Sequence, residues 1–410
     1  MNAHPEHTWG HTIAFGEEYY QNVVKLLWHV RGEAGVIAGV SAIAADALRA
    51  GHKVYANVTT GHMPTYELVN EREGNPALFE FTGSDECTPE QFAAMQAGDV
   101  LLTNHISDAE RAARDAGVYV VIFTTCYFNN RNTPPGKVHP NPHDWMPEDV
   151  ASRVIDSHIP WEQGLVHAPE IPEMAVLPGS SNASCSIHWM ITAEVAHALA
   201  TGLIPDGTIG RQYVDILLER LADVHAHDLD RLNETAVTMV KRIIGGGHYF
   251  VRSRNQGVAS EATGVAQGLM LVNAFEPRLK DEGGDTDTVL IAAVSPNDPQ
   301  DLAWADEARA NGNVIVGIGP PINDGLRDRC DAYFDDRCDE LAGVISIPGR
   351  VERICPATGI LNNIIMQMLT AQFVDEMCRR GAVPYFWMGF YRYGEQYNNV
   401  MRSFFLERGY

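Results

Sequence analysis

The stretch Val54-Tyr-Ala-Asn-Val-Thr-Thr-Gly-His-Met-Pro-Thr-Tyr-Glu-Leu-Val-Asn-Glu-Arg72 contains the signals that decide the fold. Apolar residues lead into a Thr-Thr-Gly-His turn, and Pro64 then opens a segment with apolar residues at helical spacing. The pattern predicts a strand, a turn and a helix, which is half of a βαβ unit. At the carboxyl end of such a strand, free backbone N–H groups favour an anionic or polyhydroxylated ligand.

The same order of elements is predicted twice along the chain. The first half predicts helices over 15–48, 109–116 and 180–199, and strands over 54–58, 78–81, 99–103, 118–123 and 152–156. The second half predicts a strand and turn over 243–247, helices over 260–272, 300–310 and 359–377, and strands over 288–294, 314–318 and 331–335. Matching prolines and glycines are 178 to 195 residues apart, as in the pairs Pro178 with Pro356 and Gly117 with Gly312.

A repeat of this length indicates the duplication of a whole domain, since solenoid repeats are roughly 20 to 50 residues long. Alternating strands and helices predict an α/β protein with two parallel sheets. The predicted segments are a first domain over 1–205, a connection over 206–230, a second domain over 231–383 and an aromatic tail over 384–410. The tail is apolar, so we expect it to pack on a domain or a second subunit and to cover a site.

Composition excludes several classes of protein. The 410 residues carry a formal net charge of −23 without a basic cluster, which argues against a nucleic-acid partner. The amino terminus lacks the features of a secretory signal, and no apolar run reaches the roughly 20 residues that span a bilayer. Seven scattered cysteines indicate reduced thiols. The sequence therefore predicts a cytoplasmic protein without a membrane partner.

Several short motifs resemble the SIS, or sugar isomerase, domain family, present here twice. In the first half, which is similar to an uncharacterised bacterial single-domain branch, they are Gly61-His62, Glu67-Leu68 with Arg72, Gly98-Asp99-Val100-Leu101, Ala116-Gly117 with Val121-Ile122, and Val154-Ile155-Asp156. The resemblance implies two tandem SIS domains, each a parallel sheet of about five strands flanked by helices. It also implies a ligand site at the carboxyl ends of the strands.

One departure from this family concerns phosphate. Typical phosphosugar members carry a Ser-x-Ser-Gly-x-Ser/Thr loop after the second repeated strand. Here the matching segments read Asn104-His-Ile-Ser-Asp108 and Ser295-Pro-Asn-Asp298, each with one serine and an acidic residue that would repel a phosphate. An unphosphorylated sugar or polyol, or a phosphate bound by Arg254, fits this sequence equally well.

Aldose–ketose isomerisation needs groups that move protons between adjacent carbons, and His and Glu have suitable pKa ranges. The first turns of the two halves offer His62 with Glu67, and His248 with Glu261, as candidate catalytic residues. A helix cap at His62 and an exposed helix face at Glu67 are the alternative readings. His62 and Glu67 are also five residues apart, an awkward spacing for metal ligands on one helix face, so no metal and no cofactor is expected.

Candidate ligand-binding residues are the polar side chains and glycines at the other predicted strand ends and helix starts. They are Thr59, Thr60, Gly61, Asn104, His105, Ser107, Thr124, Ser180, Ser181, Gly246, Gly247, Arg252, Arg254, Ser295 and Asn297. Ser180 and Ser181 would equally serve as helix caps, and one of the two arginines would equally form only a salt bridge.

Together these features predict a sugar or sugar-phosphate isomerase that works through an enediol. The alternatives are a lyase, etherase or deaminase that starts from the same proton abstraction, and a non-catalytic carbohydrate sensor. No DNA-binding element accompanies the two domains, which weakens the sensor hypothesis. We expect sites in the cleft between the two halves and a homodimer.

Overall fold

The computed structural model describes residues 13–58, 63–83, 86–125, 133–134, 145–273, 286–339, 343–392 and 394–410. Within these ranges the chain forms two parallel sheets of five strands and one short antiparallel ribbon. The first sheet has the order β2-β1-β3-β4-β5, with β1 Val54–Asn57, β2 Glu80–Phe81, β3 Val100–Thr103, β4 Tyr119–Phe123 and β5 Arg153–Ile155. The ribbon pairs β6 Gly164–Val166 with β7 Val176–Pro178.

The second sheet repeats the order of the first. It comprises β8 Tyr249–Ser253, β9 Val272–Asn273, β10 Thr288–Ala292, β11 Val314–Gly319 and β12 Ala332–Asp335, in the order β9-β8-β10-β11-β12. Every residue of β3, β10 and β11 is buried. Burial on both faces is characteristic of parallel sheets covered by helices, and it explains why these strands are apolar runs without alternation.

Twelve helices occur in the described residues. They are α1 Phe15–Gly32, α2 Ala34–Arg49, α3 Pro89–Ala94, α4 Asp108–Asp115, α5 Pro147–Val150, α6 Ser180–Thr201, α7 Thr208–Ile244, α8 Gly257–Ala262, α9 Pro299–Ala310, α10 Asp324–Arg327, α11 Thr358–Arg379 and α12 Gly394–Arg408. Among them α6 and α11 are buried on nearly all sides, as expected for helices that are apolar all round. Both lie at the centre of the molecule, and no described helix is long and apolar enough to cross a membrane.

The two halves interlock through these helices. Helix α1 of the first half packs against α11 of the second half, and α7 packs against both α6 and α11. Equivalent tyrosines make the same contact in each half: the Tyr19 hydroxyl donates to the Pro178 carbonyl at 3.0 Å, and the Tyr213 hydroxyl donates to the Pro356 carbonyl at 2.8 Å. The halves therefore share one continuous helical core.

Most predicted elements agree with the structure within one or two residues, but three predictions were wrong. The helix expected after Pro64 is only a short 3₁₀ turn, Thr65–Glu67. The strand expected over 243–247 is instead the end of α7, whose apolar residues are buried at helical spacing. The helix expected over 260–272 ends at Ala262. Because α7 is one helix of 37 residues, it fills the predicted connection and enters the second half; the predicted domain boundaries stay a prediction.

The aromatic tail packs against both halves, as its apolar composition predicts. Phe386 is fully buried and forms an antiparallel bridge with Leu269 of the second half. On the other side, the Tyr391 hydroxyl donates to the carbonyl of Trp161 in the first half at 3.1 Å. Helix α12 then continues along the surface.

Candidate functional site

Glu67 lies in the 3₁₀ turn beyond the carboxyl end of β1, and both of its carboxylate oxygens are engaged. Arg72 Nε donates to Oε1 at 3.1 Å, and Trp189 Nε1 donates to Oε2 at 3.1 Å. Arg72 also donates to the Thr358 hydroxyl at 2.7 Å, at the start of α11 in the other half. Glu67 and Arg72 are 3% and 1% exposed. This carboxylate is therefore part of a buried ion pair of the first half, and Arg72 of that pair contacts the second half.

Gly359, in the first turn of α11, is required by this arrangement. A side chain at this position would collide with Oε1 of Glu67. The carboxylate of the first half thus lies directly against the amino end of a helix from the second half, where the helix dipole favours a negative charge.

Glu261 occupies the equivalent place in the second half, on α8 beyond the carboxyl end of β8. Its carboxyl group lies against Ser181, at the start of α6 in the first half. Burial raises the pKa of Glu261 to about 7, and a hydrogen bond with the Ser181 hydroxyl opposes that shift. No lysine or arginine within the described ranges pairs with Glu261, which faces neutral groups.

The two carboxylates occupy equivalent places in the two halves, but their surroundings differ. Glu67 and Glu261 are 194 residues apart. Gly359, which lies against Glu67, and Ser181, which lies against Glu261, are 178 residues apart at the starts of their helices. The residue that follows Glu67 by five is Arg72, whereas the residue that follows Glu261 by five is Ala266. Glu67 is thus paired with a buried cation, whereas Glu261 has a pKa near neutral pH, which suits acid–base chemistry.

His248, predicted as a catalytic residue, lies at the opposite edge of its sheet. It precedes β8 and so lies at the amino end of the strand, where its backbone N–H donates to Asp287 Oδ1 at 2.7 Å. In the first half Lys53 makes the same backbone hydrogen bond to Asp99. The expected position was wrong because Gly246 and Gly247 follow the end of α7 and do not follow a strand. These three residues are therefore separated from Glu261 by the length of β8.

Arg254 joins the two halves through charged groups. Its guanidinium donates to Glu73 at 2.5 Å and to the Tyr66 hydroxyl at 2.6 Å in the first half, and to Asp298 at 3.2 Å in the second. The other predicted arginine, Arg252, is 4% exposed and lies over the ring of Trp304. Two carboxylates already neutralise Arg254, which weakens its case as a phosphate ligand.

The predicted polar residues of the first sheet differ in what they contact. Ser107 caps α4, since its hydroxyl accepts from the backbone N–H of Ala109. His105 lies 3.6 Å from Glu86, and Thr124 donates to Asp156 at 3.2 Å. The buried Asn104 has a side-chain oxygen without a hydrogen-bond partner in the described part of the chain, so of this group it is the residue best placed to meet a ligand.

Two predicted residues of the second sheet lie on the loop after β10. Asn297 connects this loop to the next one, because its backbone N–H donates to Asn323 and its side-chain oxygen accepts from Gly325, both at 2.7 Å. Ser295 is half-buried on the same loop. The hydrogen bonds of Asn297 therefore stabilise the loops, as the helix cap at Ser107 stabilises α4.

Ser180 and Ser181 start α6 and are buried, 1% and 2% exposed. Asn363 of α11 donates to the Ser181 hydroxyl at 3.1 Å, so this serine connects the two central helices as well as facing Glu261. Four predicted residues, Thr59, Thr60, Gly61 and His62, lie outside the described ranges. In the described ranges no group of three His, Cys, Asp or Glu side chains is arranged to bind a metal ion.

Sequence reasoning missed Trp189 and Thr358 as partners of the Glu67–Arg72 pair. Trp189 follows Glu67 by 122 residues on a helix that is apolar all round, so nothing in the local pattern distinguishes it from a core residue. Arg72 gave no signal either, since it lies in the polar segment Asn70-Glu-Arg-Glu73, where an arginine is ordinarily exposed.

Comparisons with known proteins concern the fold. No protein-family model and no curated protein matches the sequence. Among solved structures, the C-terminal domain of glucosamine-fructose-6-phosphate aminotransferase from Francisella tularensis is similar, with a TM-score of 0.51 and 12% identity over 93% of this chain and 99% of that one.

Two further solved structures share this similarity. A candidate phosphosugar isomerase from Clostridium difficile 630 has a TM-score of 0.51 and 11% identity, over 91% of this chain and 95% of that one. A candidate tagatose-6-phosphate ketose/aldose isomerase from Clostridium novyi NT has the same TM-score and identity, over 89% and 90%. At this identity the likeness concerns the fold alone. It confirms the predicted fold class: the chain is an α/β protein with two five-stranded parallel sheets flanked by helices, like these structures.

Proposed function

We propose that this protein catalyses proton transfer between adjacent carbons of a sugar or sugar derivative, in the manner of an aldose–ketose isomerase, with Glu261 as the acid–base residue. The observation that carries the proposal is the environment of Glu261. It is a buried carboxyl group at the junction of the two halves, against the start of α6, with a pKa raised by burial to about 7. A group with this pKa is present in both protonation states at neutral pH, as a residue that takes and returns a proton must be.

In the proposed reaction, the ionised Glu261 removes a proton from the carbon next to the substrate carbonyl. The electron pair of that C–H bond becomes the C=C bond of the enediol, and the π electrons of the carbonyl group move to its oxygen. This oxygen takes up the proton of the neighbouring hydroxyl group, whose oxygen becomes the new carbonyl oxygen in the next step. The protonated Glu261 then returns its proton to the former carbonyl carbon, which completes the exchange of aldose and ketose. The start of α6, with its free backbone N–H groups and Ser181, would stabilise the negative charge that develops on the substrate oxygen.

Glu67 does not take this role in the proposal. Its two oxygens already accept hydrogen bonds from Arg72 and Trp189. Proton transfer would require a carboxylate whose oxygens are free to meet the substrate. We therefore assign the chemistry to the second half and a structural role to the ion pair of the first half.

An unphosphorylated sugar or sugar derivative is the substrate class that we favour. The helix starts that follow β3 and β10 are capped by Ser107 and Asp298 from within the chain. Asp298 also pairs with Arg254, which follows β8. A phosphate at this place would have to displace a carboxylate, at the cost of an existing ion pair.

Access to Glu261 requires a change in its surroundings, because the residue is only 4% exposed. Closed sites of this kind exclude water from the reacting atoms, and segments around them open for substrate entry. We expect substrate entry to separate Glu261 from the start of α6.

The experiment is proton NMR of the purified protein in D2O with a panel of aldoses, ketoses and their phosphates. The expected result is exchange of the proton at C2 together with the signals of a new ketose or aldose. Glu261→Gln should lower the exchange rate by a factor of 10² to 10⁴, the usual contribution of one acid–base residue. Elimination products would instead favour the lyase alternative, and line broadening without exchange would favour a carbohydrate-binding protein.

The matched control is Glu194→Gln on α6. Glu194 is equally buried, and its Oε1 accepts a hydrogen bond from the Gly210 backbone, which the amide oxygen of glutamine retains. Exchange should continue at the wild-type rate in this variant. Equal exchange in wild-type protein and in Glu261→Gln would refute the role of Glu261.

A further inference from the structure

A small cavity lies beside Glu261 in the interior of the protein. The residues around it are all buried, and they come from α8, the segment before β9, β7 and the central helix α11. Its volume is about 10 Å³. That is close to the smallest space in which one buried water molecule fits.

The duplication explains why a cavity is present in the second half. Trp189 of α6 and Gln367 of α11 are equivalent positions, 178 residues apart, and each lies next to the carboxylate residue of its own half. In the first half the large indole contacts Glu67 directly. In the second half the smaller Gln367 lines the cavity and donates through Nε2 to the backbone carbonyl of Glu261 at 3.3 Å. The difference in side-chain volume leaves space beside Glu261.

Polar groups line this cavity, which distinguishes it from an apolar packing defect. Glu261, Gln367 and Thr370 all contribute to its wall. The Thr370 hydroxyl donates to the Met366 carbonyl at 2.9 Å, and its oxygen retains the capacity to accept a hydrogen bond. Three such groups are the number of partners that a buried water typically has.

The segment next to the cavity carries a second indication of unsatisfied polarity. Gln267 is fully buried and precedes Gly268, which lines the cavity. Neither the oxygen nor the nitrogen of its side-chain amide has a hydrogen-bond partner in the described part of the chain. Buried polar groups are normally satisfied, by protein or by ordered water.

We propose that this cavity is a binding site for a single water molecule, held by Glu261, Gln367 and Thr370. The inference rests on the proposed function, because such a water gives the ionised form of Glu261 a hydrogen-bond donor while the protonated form donates to it. The first half has no need of this water, since the Trp189 indole and Arg72 already donate to Glu67. The water thus supports a change of protonation at Glu261.

Crystal structures of the wild-type protein and two variants test the proposal without reference to activity. Thr370→Val keeps the side-chain shape and removes the hydroxyl partner. Thr192→Val is the matched control, because Thr192 is the equivalent residue on α6 and makes the same bond to its own helix, from its hydroxyl to the His188 carbonyl at 2.9 Å. We expect a density peak in the cavity of wild-type protein and Thr192→Val, and a weaker or absent peak in Thr370→Val.

A dry cavity in wild-type crystals that show other buried waters would overturn the proposal, as would an unchanged peak in Thr370→Val. A second measurement follows the carboxyl carbon of Glu261 by ¹³C NMR as a function of pH. Losing the water should shift the titration midpoint of Glu261 upward in Thr370→Val and leave it unchanged in Thr192→Val. An upward shift of equal size in both variants would also count against the water. Failure of the sugar-exchange assay alone would refute the proposed reaction and leave the water site standing.

Discussion

Trp189 Nε1 donates a hydrogen bond to Glu67 Oε2 across 3.1 Å, between residues that are 122 positions apart in the chain. The equivalent contact does not form around Glu261, where Gln367 takes the place of the indole. Two carboxylates in equivalent places of a duplicated fold therefore have different partners. One is neutralised inside the core, and the other has a pKa raised to about 7 by burial.

Removing the cation beside Glu67 should destabilise the fold strongly. In Arg72→Met the carboxylate of Glu67 would stay buried without its charge partner, and breaking a buried pair in this way costs about 3 to 5 kcal/mol. The measurement is the free energy of unfolding from urea denaturation. We expect Arg31→Met to have a much smaller effect, because its ion pair with Asp215 is 30% and 46% exposed. Similar losses in the two variants would contradict a special role for the buried pair.

The raised pKa of Glu261 predicts a pH dependence of stability. Between pH 4.5 and about 7 the folded protein retains a proton that Glu261 has lost in the unfolded chain. The free energy of unfolding should therefore fall as pH rises through this window, by at most about 3 kcal/mol from this one group. Above pH 7 both states are ionised, and this contribution stays constant.

The test compares urea unfolding of wild-type protein and Glu261→Gln at pH 5 and pH 8. Glutamine resembles the protonated acid, so the variant should lose less stability at the higher pH. Burial also raises the pKa of Asp301 to about 7 and that of Asp336 to about 8, while it lowers the pKa of His188 to about 3. These groups are present in both proteins, so their effects cancel in the difference. An identical pH dependence of the two proteins would disprove the raised pKa of Glu261.

His248 is expected to be dispensable for proton exchange. Its ring lies 3.0 Å from Asp287 at the amino edge of the second sheet, and the side chain is 41% exposed. Replacement by alanine should lower the free energy of unfolding by about 1 kcal/mol or less and leave the exchange rate per folded molecule unchanged. Loss of exchange in a fully stable His248→Ala protein would restore the catalytic role that the sequence suggested.

Phe386 of the tail should contribute strongly to the free energy of unfolding, because it anchors the tail to the second half. Phe386 is fully buried beside Leu269, and deleting such a ring costs about 3 to 5 kcal/mol. Thermal unfolding of Phe386→Ala should show a markedly lower midpoint. Phe404→Ala on α12 is the control, since that ring is 46% exposed. Equal midpoints for the two variants would show that the tail is not part of the cooperative core.

Much of the fold was predictable because its signals are local. Strands such as β10 and β11 are continuous apolar runs, and Gly117 and Gly312 end the helices before β4 and β11 with φ angles of 97° and 74°. Such angles are easily adopted by glycine, so its position marks the boundary. The repeat of these local signals was enough to predict two sheets of the same order.

The strand predicted over 243–247 was wrong because two apolar residues were interpreted without the helical spacing of the apolar residues before them. Ile243 and Ile244 precede three glycines and suggest the end of a strand, but Leu232, Ala236, Met239, Val240 and Ile243 are the buried positions of a helix. The helical period over this longer window was the stronger signal. Because the strand is β8 and does not cover 243–247, His248 precedes the strand and lies at the amino edge of the sheet, not at the carboxyl edge.

The sequence alone predicted the α/β class, two sheets with the same order of elements, and Glu67 and Glu261 as candidate residues, because the strand, turn and helix signals behind them are local. Only the tertiary structure decided how the two glutamates differ. Glu67 is neutralised by Arg72 and joined to α11, while Glu261 faces Ser181 of α6 without a cation among the described residues. Thr358 of α11 and Ser181 of α6 come from the opposite half of the chain. The free energy of a buried charge depends on such neighbours, which local sequence does not reveal.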